Sequence, residues 1–290
     1  MTTRHAVVDT GRMRVTDSHV LLTGATGDIG RRLAAHLSDA GARVTLVARH
    51  RDALESLAAE VEGSVLPADL CERDQRRTLL ERAEALEGPV DVLVNNAGTE
   101  TAAHLADLGA DDLEHLVDLN LLAPAELCRQ ALQGMLARGG GHLVNVSSLA
   151  GVGTFPGLAA YGATKAGLTH LTSGLRADLR DSPVGTLAVE IGPVTSHMMG
   201  RIAGHRPTAA AFERLLRARV LRMLDPDEVA SAVVAAIADD RPTLRMPRRA
   251  APLAAVTHAP RAVVRLALTG IRTTSRSVSP GGTGTTGATP

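Results

Sequence analysis

The sequence His19-Val-Leu-Leu-Thr-Gly-Ala-Thr-Gly-Asp-Ile-Gly30 runs from a short apolar segment through three closely spaced glycines into a helical pattern. Its first five residues predict a buried strand, and the apolar residues after Gly30 predict one buried face of a helix that ends at Gly41. Glycines between a strand and a helix let backbone N–H groups approach a phosphate at the positive end of the helix dipole. On its own this motif is weak evidence for a nucleotide site.

The strand-then-helix unit repeats along the chain. Further strands are predicted at residues 44–48, around Val65, and at 90–95, 143–147 and 184–191, with a weak one near Leu244. Helical patterns separate them at residues 52–61, 72–87, 111–138, 161–180, 208–223 and 226–239. Strands that alternate with helices at this spacing predict an α/β fold with a doubly wound parallel sheet, formed by a single domain of residues 18–247.

The two ends of the chain differ from this pattern. Residues 1–17 are polar and without periodicity, which predicts a flexible N-terminal arm. Residues 248–274 predict a basic extension with an amphipathic helix at 260–272, and residues 275–290, rich in Gly, Thr, Ser and Pro, predict a disordered tail. Eight arginines and no acidic residue follow residue 240. This basic segment predicts contact with an anionic membrane surface or an acidic carrier protein, unless it packs on its own domain.

Composition argues against several classes of protein. The formal net charge is zero, which gives no sign of nucleic-acid binding. Cys71 and Cys128 are the only cysteines, and their spacing suits neither a disulfide framework nor a metal site. We therefore expect no bound metal and a reduced, cytoplasmic environment. No stretch of the sequence has the pattern of a signal peptide or the apolar length of a transmembrane helix.

Tyr161 is the only tyrosine of the chain and Lys165 its only lysine, whereas every other strong base is arginine. On a helix their spacing puts both side chains on one face. An ammonium is a compact charge with three donors, which a guanidinium does not imitate beside a phenol. A phenol can give and take a proton. The pair therefore predicts acid–base chemistry, and the alternative is an exposed polar pair on a surface helix.

Other polar residues follow the predicted strands at the edge where the ligands of such sheets bind. Asn95-Asn-Ala-Gly98 ends the fourth strand and Ser148 follows the fifth, so both lie at the carboxyl edge. Asn120 falls inside a predicted helix, where asparagine is a mediocre helix former, and so indicates a bend or a bound water. Each also has an ordinary alternative as a turn or capping residue.

The residues after the second strand bear on the choice of cofactor. NAD enzymes with such sheets place a carboxylate there to bind the ribose 2′-hydroxyl, whereas this chain has Ala48 followed by Arg49 and Arg51. A guanidinium suits a 2′-phosphate, which predicts NADP(H) in preference to NAD(H). The alternative is an arginine that is merely solvated at a helix start.

In combination these residues resemble the short-chain dehydrogenase/reductase family, which has a Rossmann-like fold, and in particular its shorter-chain, ketoreductase-like branch. The resemblance covers about residues 18–240, where the motifs occur in the family's order and at about its spacings. It implies an NADPH-dependent oxidoreductase that interconverts a carbonyl and an alcohol of a small-molecule substrate by hydride transfer. It also implies a homodimer or homotetramer formed through the helices at residues 111–138 and 161–180.

The resemblance further implies the roles of the catalytic residues. Tyr161 would be the general acid and base, and Ser148 would orient the substrate carbonyl. Lys165 would lower the pKa of Tyr161 and bind the nicotinamide ribose, while Asn120 would hold a water that returns protons through Lys165. The implied cofactor-binding residues are Gly24, Thr26, Gly27, Ile29, Gly30, Arg49, Asp69, Leu70, Asn96, Ala97, Gly98, Tyr161, Lys165, Val194 and Ser196. Among them Asp69 and Leu70 would border the adenine.

Two motifs depart from the ketoreductase-like pattern. The last motif reads Ile191-Gly-Pro-Val-Thr-Ser196, so that its final hydroxyl belongs to Ser196. The middle glycine of the first turn is displaced to Gly27, and Asp28 stands in its usual place. A carboxylate that points inward there would repel a pyrophosphate, whereas one that points outward would favour the helix dipole.

The displaced glycine leaves alternative functions open. Its spacing is more typical of the extended branch, which includes epimerases and dehydratases, and a catalytically silent NADP-binding sensor is a third interpretation. The segment at residues 195–223 is rich in Met, Leu, Ala and Arg, which favours an apolar substrate with an anionic or polar end.

Overall fold

The computed structural model describes residues 15–202 and 204–250, and a parallel sheet forms its centre. The strands are β1 (His19–Thr23), β2 (Arg43–Ala48), β3 (Ser64–Pro67), β4 (Val92–Asn95), β5 (Gly141–Ser148), β6 (Val184–Ile191) and β7 (Thr243–Met246). Their order in the sheet is β3-β2-β1-β4-β5-β6-β7, and every neighbouring pair is parallel. The chain moves outward from β1 to β3 and crosses back to β4, which confirms the predicted doubly wound α/β fold in one domain.

Helices cover both faces of this sheet. They are α1 (Asp28–Asp39), α2 (Arg51–Val61), α3 (Arg73–Glu87), α4 (Ala110–Val117), α5 (Ala123–Arg138), α6 (Ala159–Asp178), α7 (His197–Ile202), α8 (Arg206–Arg217) and α9 (Pro226–Ala238). Val20 and Leu22 of β1 pack with α1, α2 and α9, whereas Leu21 packs on the opposite face with α3 and α5. Because both faces are buried, the strands are nearly continuous apolar runs rather than alternating ones.

The helix predicted at residues 111–138 is interrupted. Between α4 and α5 lies a π-helical segment, Asp118–Leu122, with Asn120 at its centre. Pro124 has no backbone N–H, so the α-helical hydrogen bond to the Asn120 carbonyl cannot form. The wider turn instead pairs the Ala123 N–H with the Asp118 carbonyl. The helix is thus interrupted at Asn120, where the sequence indicated either a bend or a bound water. The structure shows the bend.

The edges of the domain differ from the predicted boundaries. Val15 is buried in the core, and the Asp17 N–H donates to the Gly41 carbonyl at 2.9 Å, although both residues belong to the predicted flexible arm. At the other end a short 3₁₀ turn, Arg248–Ala250, follows β7. The rest of the predicted arm, the basic extension and the tail lie outside the described residues. Within residues 15–202 and 204–250 no helix is long and apolar enough to cross a membrane.

Candidate active site

The carboxyl ends of β1, β4, β5 and β6 bring the predicted site residues together. The strand order reverses between β1 and β4, and such switch points form a crevice at the carboxyl edge of open α/β sheets. The glycine turn follows β1, Asn95-Asn-Ala-Gly98 follows β4, and Ser148 ends β5. α6 runs beside β5 and carries Tyr161 and Lys165 in its first two turns.

Tyr161 and Lys165 are buried at 7% and 5% exposure, which rules out the alternative of an exposed surface pair. The Tyr161 hydroxyl is hydrogen-bonded to Ser148, and the Ser148 Oγ also accepts the Ala150 N–H at 3.1 Å. The Lys165 ammonium donates to the Val146 carbonyl at 3.0 Å. The phenol, the hydroxyl and the ammonium of the predicted catalytic set thus lie in one buried cluster.

The protonation of this cluster is governed mainly by burial. Removal from water raises the pKa of Tyr161 to about 12; the Ser148 hydrogen bond acts against this shift and the Glu100 carboxylate adds to it. Burial lowers the pKa of Lys165 to about 8. The sequence predicted that Lys165 would lower the Tyr161 pKa, whereas in this structure burial has the largest influence and raises it. Tyr161 is therefore a neutral phenol near neutral pH, the form that can donate a proton.

Asn120 lies behind the cluster and is fully buried. Its side-chain oxygen accepts the Thr99 N–H at 2.9 Å, and its amide donates to the Thr99 carbonyl at 2.8 Å and to the Thr164 hydroxyl at 3.2 Å. A Cβ on Gly98 would come within 3.1 Å of the Asn120 oxygen and 3.2 Å of the Lys165 Nζ. Asn120 thus fixes the loop after β4, and Gly98 leaves the space through which this loop approaches Lys165.

The glycine turn is fastened to the same loop. Gly24 has a φ of +66°, and a Cβ there would lie 2.7 Å from the Ala97 Cα. The Thr23 hydroxyl accepts the N–H groups of Asn96 and Ala97 at 3.0 and 3.1 Å. The Asn96 amide donates to the carbonyls of Thr23 and Gly24, both at 3.1 Å. Close backbone approach, which only glycine permits, therefore shapes the floor of a groove at the start of α1.

This groove has the composition that a dinucleotide requires. It begins at the glycine turn, passes the loop after β4 and extends to the ends of β2 and β3. All the predicted cofactor-binding residues line it except Tyr161, Lys165 and Val194, which line the adjoining pocket. His50 and His115, which the sequence did not indicate, line it as well. The glycine cradle at one end and Asp69 and Leu70 at the other fit a pyrophosphate and an adenosine.

Asp28 lines the groove but is engaged by another element. Its carboxylate accepts the backbone N–H of His197 at 2.9 Å and lies 3.1 Å from the His197 imidazole. His197 is the first residue of α7, a short helix that the sequence did not predict. The sequence left open whether the Asp28 carboxylate points inward or outward. In the structure it is bonded to His197, and it thereby connects the glycine turn to α7.

The adjoining pocket opens from the catalytic cluster and is apolar except at that end. Its polar lining residues are Asn96, Ser147, Ser148, Lys165 and Ser196 together with the Tyr161 hydroxyl. The chain has only three aromatic residues, and all of them line this pocket. The rings of Phe155 and Phe212 stack with centroids 5.0 Å apart. The sequence analysis did not single out these two phenylalanines as pocket residues. Their rarity in the chain is the signal that could have done so.

Comparisons with known proteins agree with this geometry. The family model of short chain dehydrogenases matches residues 18–206. An uncharacterized oxidoreductase of Staphylococcus aureus is 28% identical over 77% of this chain and 92% of its own length. Glycine betaine reductase of Emericella nidulans is 33% identical over 75% of this chain, which corresponds to 17% of that much longer protein.

Solved structures show the same similarity. A short-chain dehydrogenase from Streptomyces avermitilis has a TM-score of 0.74 and 28% identity, and the match covers 88% of this chain and 96% of that one. A variant of actinorhodin polyketide ketoreductase with NADPH has a TM-score of 0.72 and 31% identity, covering 79% of this chain and 95% of that one. The sheet, the glycine cradle and the Ser148–Tyr161–Lys165 cluster, together with these matches, show that the chain belongs to the short-chain dehydrogenase/reductase family and is an NAD(P)-dependent oxidoreductase.

Proposed function

We propose that the protein interconverts a carbonyl group and a secondary alcohol on an apolar substrate, with NADP(H) as cofactor and Tyr161 as general acid and base. The observation that carries this proposal is the position of the Tyr161 hydroxyl. It is a neutral phenol, bonded to Ser148, in an apolar pocket that adjoins a groove suited to a dinucleotide. A carbonyl bound there has a proton donor beside its oxygen.

The chain's own residues then have distinct tasks in reduction. Ser148 donates a hydrogen bond that orients the carbonyl oxygen, and Tyr161 gives its proton to that oxygen. NADPH supplies the hydride when bound. Burial places the pKa of Lys165 below that of Tyr161, so proton return from the ammonium to the phenolate is favourable. The carbonyl of Asn120, which lacks an α-helical donor because of Pro124, is the group we assign to hold a water behind Lys165.

The lining of the pocket supports an apolar substrate. Beyond its catalytic end the wall consists of aliphatic, methionine and phenylalanine side chains, among them Met198, Ile202 and Leu221. A charged group of a substrate would lose its hydration there without a partner. Methionine and stacked phenylalanine rings favour flat or bulky ring systems, because both form polarisable contacts with aromatic faces. We therefore expect aryl and alicyclic ketones to be better substrates than small polar ones.

Preference for NADP(H) is supported by the end of the groove nearest β2. Arg49 lines the groove there, and no carboxylate pairs with its guanidinium within the described part of the chain. Arg51, by contrast, starts α2 and lies 3.5 Å from Glu55. A free guanidinium at this place suits the 2′-phosphate, and Ala48 offers no carboxylate to the 2′-hydroxyl of NAD.

Loss of NADPH absorbance with a panel of ketones and aldehydes tests the proposal, with NADH in parallel. We expect turnover with NADPH and aryl or alicyclic ketones. Tyr161→Phe should abolish that turnover and leave NADPH affinity within a few-fold, because it removes a proton donor and little else. Equal activity of Tyr161→Phe and parent would contradict the mechanism, and turnover only of polar, charged substrates would contradict the substrate class.

A further inference from the structure

A second cavity lies at the amino edge of the sheet, opposite the edge that carries the catalytic cluster. It is lined by the last turns of α6, by the first residues of β6 and by the turn between α9 and β7. Its volume is about 500 Å³, compared with about 300 Å³ for the groove at the other edge. No step of the proposed reaction involves this cavity, so the groups that line it require an explanation of their own.

Arg176 presents an unused donor to the cavity. It lies about three turns after Lys165 on α6. Its Nη2 donates to the carbonyls of Thr186, at 3.4 Å, and Pro242, which fixes the guanidinium beside the amino ends of β6 and β7. The Arg176 Nε is buried and has no partner within the described part of the chain. A buried guanidinium N–H without an acceptor is costly, so this position favours an acceptor from outside the chain.

Thr186 of β6 presents a second unused donor. Leu187 and Val189, whose side chains alternate with it, belong to the core under α1 and α9, so Thr186 points to the opposite face, toward α6. It is 5% exposed, and no described residue bonds to its Oγ1. Valine has nearly the same shape and a similar preference for strands, and it would leave no hydroxyl unsatisfied. The threonine hydroxyl therefore indicates a ligand that accepts its hydrogen bond.

The other polar groups around the cavity indicate the charge of that ligand. Arg180 lines it, and no described residue pairs with its guanidinium. The Ser182 hydroxyl accepts the Val184 N–H at 3.3 Å and keeps its own hydrogen to donate. Asp240 is the one carboxylate among the described lining residues, against two guanidiniums. The excess of donors and of positive charge suits an oxyanion, and a phosphate accepts from several directions at once, whereas a carboxylate lies in one plane.

We propose that this cavity binds the phosphate group of a small metabolite. Arg176, Arg180 and Thr186 donate to the phosphate oxygens, and Asp240 accepts a hydroxyl group of the same molecule. Because the cofactor groove lies at the opposite edge of the sheet, both sites can be occupied at once. The inference is independent of the proposed carbonyl substrate, so binding alone tests it.

Inorganic phosphate is the probe, and the melting temperature of the full chain is the readout. Ionic strength is kept constant with chloride, and saturating NADPH or NADH fills the glycine cradle, which could otherwise bind phosphate as well. We expect a saturable rise in the melting temperature of the parent, as for any ligand that binds the folded state. A general salting effect of phosphate would raise the parent and all variants alike.

Thr186→Val separates a ligand site from a structural hydroxyl. We expect it to weaken phosphate binding roughly tenfold, yet to raise the melting temperature without phosphate, because it removes a buried hydroxyl that has no partner in the described chain. Thr172→Val is the control. Thr172 is also buried, but its hydroxyl accepts the Asn145 amide at 2.9 Å and donates to the Leu168 carbonyl at 2.7 Å. This control should lower the melting temperature and leave phosphate binding unchanged.

Arg180→Gln changes an exposed side chain, so it should fold normally, and we expect it to weaken phosphate binding by roughly tenfold or more. Arg217→Gln, exposed and outside the cavity, is its control and should have no effect. Phosphate stabilisation that is absent from the parent, or equal in the parent, Thr186→Val and Arg180→Gln, would overturn the inference. Tighter binding of acetate than of phosphate would overturn the assignment to a phosphate. A lower melting temperature of unliganded Thr186→Val would show that the hydroxyl is structural and would also overturn it.

Discussion

Arg49 shows how a single side chain decides between two cofactors. The cofactors differ at the ribose only by the 2′-phosphate. Arg49 lines the groove at the corresponding end, and none of the described residues offers its guanidinium a carboxylate partner. A charge-assisted hydrogen bond to a phosphate is directional as well as electrostatic, so it discriminates more than general positive potential would. Its neighbour Arg51 is already engaged by Glu55 along α2 and has less to offer.

We predict that Arg49→Ala lowers the preference for NADPH over NADH by about 1.5–3 kcal/mol, roughly ten- to 150-fold in the ratio of kcat/KM. Arg51→Ala is the control and should change the ratio much less, because an exposed i,i+4 partner already engages that side chain. The measurement is steady-state kinetics with both cofactors and one ketone. An unmoved ratio in Arg49→Ala, or an equal loss in both variants, would contradict the assignment.

The identity of the candidate catalytic side chains was the feature of the site that the sequence predicted best. Tyr161, Lys165 and Ser148 were predicted to be catalytic because each residue type has a chemical property that the others lack, and because Tyr161 and Lys165 are each unique in the chain. The Glu100–Arg201 ion pair was not predicted, because the two residues are 101 positions apart and no local sequence pattern connects them. The Tyr161 pKa was misjudged, since its largest cause is burial, which depends on packing that a motif does not describe.

At the scale of elements, α7 is fastened at both ends across the mouth of the site. Its first residue, His197, is held by Asp28 of α1, and Arg201 near its end is held by Glu100. Ser196 just before it accepts the Met199 N–H at 3.3 Å and so caps the first turn. A six-residue helix contributes little stability of its own. Its position over the groove and the pocket therefore depends on these side-chain contacts.

Asp28 has two separable effects, and two substitutions separate them. Asp28→Asn removes the negative charge beside the pyrophosphate site but keeps an oxygen that can accept the His197 N–H, so NADPH should bind more tightly with the substrate KM unchanged. Asp28→Ala also frees α7, a loss comparable to that of a helix cap, about 1 kcal/mol, and should raise the substrate KM roughly fivefold. NADPH titration and steady-state kinetics measure both. Weaker NADPH binding in Asp28→Asn would show that the carboxylate does not oppose the cofactor.

The remaining elements show where sequence patterns succeed and where they stop. The strands and long helices were predictable because buried apolar runs and helical spacing determine them. A bend at Asn120 was indicated by its poor helix propensity, but the π-helical form of the turn was not, since it depends on Pro124 removing a donor and on Asn120 bonding to Thr99 in a distant loop. α7 was missed because a helix of this length, with Gly200 inside it, has no readable periodicity.

On the scale of the whole molecule, the rod formed by α4, the π-helical turn and α5 carries an apolar stripe. Leu113, Val117, Leu122 and Leu136 are all more than a third exposed. Their spacings of four, five and fourteen residues keep them on one side of the rod, because the wider π turn absorbs the extra residue before Leu122. Scattered exposed leucines are ordinary, but a stripe along one rod is typical of an interface. This supports the homodimer or homotetramer through residues 111–138 that the family resemblance implies.

We predict that the protein forms an oligomer through this stripe and that Leu122→Glu reduces it to smaller species, because the substitution would place a charge in the interface. Met223→Glu is the control, since Met223 is 39% exposed but lies between α8 and α9 in the sequence, outside the rod. Light scattering coupled to size-exclusion chromatography gives the mass of each species. A parent protein that is monomeric at all concentrations, or equal effects of the two variants, would contradict the interface.

The one lysine of this chain has a consequence for covalent chemistry. Lys165 is buried and lines the apolar pocket, and burial lowers its pKa to about 8, so at neutral pH more of it is free amine than of an ordinary lysine. Arginine occupies every other strongly basic position and does not acylate under the same mild conditions. A small amine-directed reagent that can enter the pocket would therefore have Lys165, in the candidate active site, as its sole side-chain target. Labels on Lys165, counted separately from the label on the terminal α-amine, would count intact sites, and occupancy of the groove by cofactor would appear as protection from labelling.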